Sequence, residues 1–168
     1  MKKVTSAIAN KMLRSLEEDK NYLLSLEEES RTYIRAEGEE KEAPEYHYED
    51  IRRGVNEIDS KVSAIKHAVN VFNTTTVLDG LGITIDQALV RMAQLNGEKH
   101  RLDTMRKMLP ATRVGQTYMR GRQAVEYMYA NYDIEEAKRD YQAISDQINQ
   151  IQIALDLANQ TRTFEIED

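Results

Sequence analysis

YEDIRRGVNEIDSKVSAIKHAVNVF, residues 48–72, decides how this chain is read. Tyr48, Ile51, Val55, Ile58, Val62, Ile65, Val69 and Phe72 recur at alternating steps of three and four. IEEAKRDYQAISDQINQIQIALDLA, residues 134–158, repeats the pattern through Ile134, Ala137, Tyr141, Ile144, Ile148, Ile151, Leu155 and Ala158. A mean step of about 3.5 residues keeps one apolar stripe turned toward a partner helix along its whole length, so both stretches read as coiled-coil seams. Neither seam carries a buried polar, metal-ligand or catalytic residue, Tyr48 and Tyr141 being their only hydroxyls. The two helices are scaffold, and function beyond assembly is expected where the heptads break.

Working outward, a first helix is expected over residues 5–36, with a stripe of Ala9, Met12, Leu16, Asp19, Leu23, Leu26, Ser30 and Tyr33. Solvent exposure explains the polar Asp19 and Ser30 more simply than a register-fixing role does. Residues 37–47 hold Gly38, Pro44 and five glutamates, a composition that repels itself and reads as a linker. Gly54 falls inside the second helix, off its stripe. Residues 73–83 read as a short extended piece and a tight turn at Asp79-Gly80. Thr84 then caps a third helix over 84–109, with Gln87 completing a capping box and Ile85, Leu89, Met92, Leu95 and Leu102 on its apolar side. Pro110 stops it. Gly115 and Gly121 argue against one helix over 111–132, and residues 125–132 are aromatic enough for a strand. Asp133, with Glu136 three residues on, opens the last helix, 133–159. The tail from Thr163 to Glu167 alternates like a strand, with Thr74–Val77 or Val125–Tyr132 as expected partners. The fold class predicted is mainly α: one domain over 1–168, an antiparallel long-helix, coiled-coil-like four-helix bundle with short extended segments at its ends.

Hydrophobic residues make up 40% of the chain and charged residues 31%, with 7 glycines, 2 prolines and no cysteine. That balance suits exposed helices rather than a thick core, and it removes disulfides, thiolate nucleophiles and sulfur metal ligands. A soluble, cytoplasmic protein is expected: acidic residues from Glu17 follow the start too soon for a signal peptide, and no apolar run nears the roughly 20 residues a bilayer span needs. The net charge of −6 hides an asymmetry. Residues 17–50 hold 13 acidic and 4 basic side chains, whereas 99–122 hold 7 basic and 1 acidic.

The stretch NVFNTTTVLDG, residues 70–80, leading through Thr84 into a capped helix with Leu89, resembles a bacterial family of helical proteins labelled septicolysin-like. The resemblance runs from the second helix onward, through Asp140, Ile148, Asn159 and Thr163, and more loosely through Tyr118 to Arg122. It implies a helical, self-associating protein and marks Asn70, Asn73, Asp79 and Gly80 as a possible functional turn. It implies no established activity. Thiol-activated cytolysins use a loop bearing Trp and Cys, and this chain has neither, so haemolysis is not carried over.

Chemistry-bearing patterns are few. A di-iron bundle site needs Glu-x-x-His pairs, and none of His47, His67 and His100 has a glutamate three residues before it. No His-x-x-x-His pair, Gly-x-Ser-x-Gly elbow or phosphate loop occurs. No catalytic, cofactor or metal residue is therefore named, and no cofactor is expected. Arg113, Tyr118, Arg120 and Arg122, near Tyr127 and Tyr129, form the best functional lead, since arginine with aromatic rings holds phosphates and stacks bases. The simpler reading is that these arginines meet the chain's own acid-rich region, within or between subunits; the negative net charge favours it. The sequence thus favours a non-enzymatic, homo-oligomeric scaffold or interaction protein without a membrane partner. The alternatives are a nucleic-acid or polyanion binder through 113–132, and a carboxylate- or metal-dependent enzyme at a subunit crevice.

Overall fold

A computed structural model describes residues 1–119 and 122–166. It is mainly α, with four helices and two small antiparallel sheets among the described residues. The chain divides into two compact units: Met1–Thr76 with Leu157–Asp168, and Val77–Asp156.

In the first unit, β1 (Lys2–Thr5) leads directly into α1 (Ser6–Ser30). Thr5 caps the helix, its hydroxyl accepting from the Ile8 amide at 3.3 Å. After an irregular stretch the chain enters α2 (Tyr48–Thr75), which packs on α1. The tail forms β4 (Thr163–Ile166), antiparallel to β1 with Lys2 opposite Ile166 and Val4 opposite Phe164. Strand alternation places Val4, Phe164 and Ile166 on one face and Lys3, opposite Glu165, on the other. Val4, Ile166, Ala9 of α1 and Ile65 of α2 form a buried cluster, with Met12, Leu16 and Val69 packed against it. Phe72 and Phe164 stack beside it, centroids 4.7 Å apart. The tail's strand character is as expected, but its partner is the N-terminus rather than 74–77 or 125–132. Only that pairing brings two apolar strand faces onto the α1–α2 seam.

The seam of α2 is its buried stripe: Ile65 and Phe72 are buried, Ile51, Val55, Ile58, Val62 and Val69 half-buried, and Tyr48 exposed. Helix α1 ends at Ser30, six residues short of the expected end. Glu27, Glu28 and Glu29 crowd its C-terminal end, where the helix dipole disfavours negative charge, and Tyr33 and Ile34 beyond it are exposed. Asp19 is exposed; its neighbour Lys20 reaches across to both carboxylate oxygens of Asp59 at 2.7 and 2.9 Å. Gly54 lies on the flank of the stripe that meets α1. A Cβ there would sit 2.9 Å from Leu23 Cδ1, so glycine permits the approach of the two helices.

The second unit opens with a turn whose amides at Leu81 and Gly82 donate to the Leu78 carbonyl. Gly80 and Gly82 hold φ of +77° and +67°, a conformation that L side chains rarely adopt. Helix α3 (Ile85–Met105) starts on the expected capping box: Thr84 Oγ1 accepts from the Gln87 amide, and the Gln87 side chain accepts from the Thr84 amide. It ends at Met105, four residues before the expected 109. Ala88, Leu95 and Leu102, seven apart, are its buried stripe with Ile85, while Leu89 is 44% exposed; the smaller residue faces inward. Where one strand over 125–132 was expected, two antiparallel strands pair, β2 (Ala111–Met119) and β3 (Arg122–Tyr129). The register shifts between Arg113 and Gly115, leaving Val114 as the extra residue of a bulge. Asp133 opens α4 (Ile134–Thr161) as expected, its carboxylate accepting from the amides of Glu135 and Glu136. Ala137, Ile144, Ile151, Leu155 and Ala158 of the α4 seam are buried.

Candidate functional site

The heptads break at the β2–β3 ribbon, and the unabsorbed chemistry collects there. Its register sets Arg113 opposite Tyr127 and Ala111 opposite Tyr129. Alternation puts Val125, Tyr127 and Tyr129 on one side of β3 with Arg113 across from them. The two tyrosine rings lie 6.3 Å apart. Val114, Tyr127 and Tyr129 are 57%, 50% and 68% exposed, and Met128 and Val125 are exposed as well. The ribbon therefore shows apolar and aromatic surface on both faces. At its base, the Ala130 amide donates to the Pro110 carbonyl.

Among the sequence-derived site residues, Arg113 stands on this ribbon with a described side chain. Tyr118 and Arg122 occupy ladder positions opposite Gln123 and Met119, and Arg120 lies outside the described residues. Asn70 and Asn73 belong to the last turns of α2 rather than to the turn after it. Asp79 and Gly80 sit at the exposed tip of the turn before α3. Val114 and Met128 were missed as exposed apolar positions; Gly115, directly after Val114, hid the strand on which Val114 stands.

The basic block divides in two. At the C-terminal end of α3, Arg106 and Lys107 just beyond the helix both pair with its Asp103, and Arg101 lies 3.7 Å from Glu98. The Arg106 guanidinium also covers the Tyr141 ring of α4 at 4.0 Å, with Lys99 5.4 Å from the same ring. The hydrogen bonds from Lys107 and then Arg106 hold the Asp103 carboxyl below the ordinary carboxylate range. These cations are structural. Arg113, by contrast, is exposed and makes no ion pair with a described residue.

Elsewhere, the hydroxyl of half-buried Tyr46 donates to Glu27 at 3.0 Å; burial first, then this carboxylate, pushes the phenol above its usual range. A cavity of about 610 Å³ in the first unit has the Phe72–Phe164 stack as one wall and exposed His67 and Arg162 at its rim. No group of three or more described His, Asp or Glu residues is placed to hold a metal ion, and no described helix is long and apolar enough to cross a membrane.

No protein-family model and no curated protein matches the chain. A solved structure is similar: the crystal structure of a functionally unknown conserved protein from Corynebacterium diphtheriae. It superposes with a TM-score of 0.64 over 98% of this chain and 100% of that one, at 15% sequence identity. At that identity the likeness concerns the fold alone.

Proposed function

We propose that this chain is a non-enzymatic helical scaffold that acts by self-association. Its helices would pack as an antiparallel bundle, and the β2–β3 ribbon would supply the contact surface. The exposed ribbon is the observation that carries the reading. A lone two-stranded ribbon is marginally stable in water. This one, about 30 Å long at ~3.4 Å per residue, bears Val114, Val125, Tyr127, Met128 and Tyr129 in solvent. Exposed apolar and aromatic surface of this kind marks an interaction site. Membership of the septicolysin-like family belongs to the same proposal and rests on residues 70–80. A cytoplasmic location belongs to it as well, supported by the absence of cysteine. Light scattering at micromolar concentration tests the reading: a mass that is a multiple of 19.4 kDa is expected, and a clean monomer at every concentration refutes it.

A second reading, polyanion binding, draws on one specific feature, Arg113 across from Tyr127 with Tyr129 next along the face. Cation and stacking ring together suit a single strand. The overall charge of −6 opposes it, and Arg101 and Arg106, each beside a carboxylate, contribute little to a phosphate-binding field.

A further inference from the structure

Residues 31–47, between α1 and α2, form no helix or strand and are exposed except at Tyr46. Residues 37–50 carry seven carboxylates and one lysine, a charge of −6 with histidine neutral. Within the chain this charge is barely compensated. Arg53 pairs with Asp50, and the Glu39 carboxylate accepts from the Ala36 amide. Lys41 donates to the Ile34 carbonyl. Glu37, Glu40, Glu42 and Glu49 make no ion pair with a described residue. Residues 111–129 have the opposite excess, three arginines to one glutamate. The ribbon face holding Arg113 is also aromatic, so it covers the carbon stems of glutamates while its cation meets their carboxylates.

From this complementarity we infer that the Arg113–Tyr127–Tyr129 face of one copy is covered by the acidic segment 37–50 of a second copy. The inference rests on the self-association proposed above and names its contact. Each copy offers both halves, so in a twofold pair each copy would give one such contact and receive one. Exposed charges of opposite sign steer the encounter and are screened by salt.

Sedimentation velocity on the full chain tests it, with circular dichroism showing that each variant is folded. Raising NaCl from about 50 mM to about 500 mM should weaken association. Arg113→Glu should weaken it about tenfold or more, and so should Glu40→Lys combined with Glu42→Lys. Mixing the two variants should restore association, because the reversed charges then face each other in the mixed pair. A dimer indifferent to salt and to all three substitutions overturns this contact and leaves self-association standing. A monomer under every condition overturns both. Arg113→Glu that abolishes binding of a single-stranded oligonucleotide, with the mass unchanged, overturns this contact in favour of a polyanion occupant.

Discussion

Gly54→Ala measures the approach of α1 to α2. In a helix interior alanine is favoured over glycine by about 0.8–1 kcal/mol, so propensity alone makes the variant more stable. The new Cβ would lie 2.9 Å from Leu23 Cδ1, against about 3.5–4.0 Å for carbon atoms at rest. Leu23 is half-buried and its methyl is the end of a two-torsion side chain, so it can give way, at about 0.5–1.5 kcal/mol for leaving its rotamer. The two effects nearly cancel, and urea denaturation followed at 222 nm should show a change within about 0.5 kcal/mol. The Leu23→Ala background removes the clash. There, Gly54→Ala should be stabilising by the full ~1 kcal/mol, a coupling of about 1 kcal/mol between the sites. Stabilisation by ~1 kcal/mol in both backgrounds would refute the close contact at this point.

Three further outcomes follow from particular contacts. Ile166→Ala should cost about 2–5 kcal/mol in the same assay, because Ile166 is 3% exposed in the cluster with Val4 and Ile65. An unchanged midpoint would mean that β4 does not pack there. Thr84→Ala should cost about 1 kcal/mol through loss of the capping box, and a neutral result would remove the box as a helix determinant. Asp103 has a folded pKa below its unfolded value. Its contribution is therefore present above the unfolded pKa of about 3.9 and lost as pH falls through the lower folded value. NMR titration should place its midpoint below that of an ordinary aspartate and move it upward in Lys107→Met.

The seams were legible because their cause is local: a helix that packs along its length must repeat its apolar residues every three or four positions. Ile65, Phe72, Ile144, Ile151 and Leu155 are buried as that logic requires. Capping at Thr84 and Asp133 and the turn at Gly80 were legible for the same reason. The partner of β4 was not, since nothing in TFEI specifies KKVT 160 residues away; the pairing exists because both strands cover one helical seam. The choice of Ala88 over Leu89 depends on how closely α3 approaches its neighbour, which periodicity alone does not state. The ribbon was half legible. Aromatics marked β3 and Gly115 argued rightly against a helix, but neither stated that β2 pairs with β3 or that Val114 is the extra residue of a bulge. The arginines at 113, 120 and 122 were visible as a cluster, while the split between neutralised helix cations and exposed Arg113 required the positions of Asp103, Glu98 and Tyr141.

Amide hydrogen exchange of the ribbon as a function of protein concentration tests the central claim most directly. Self-association through this surface predicts that amides of residues 111–115 and 125–129 exchange rapidly in dilute protein and become protected as concentration rises through the dissociation constant. Protection that is identical at all concentrations, with the ribbon already stable in the isolated chain, would contradict it.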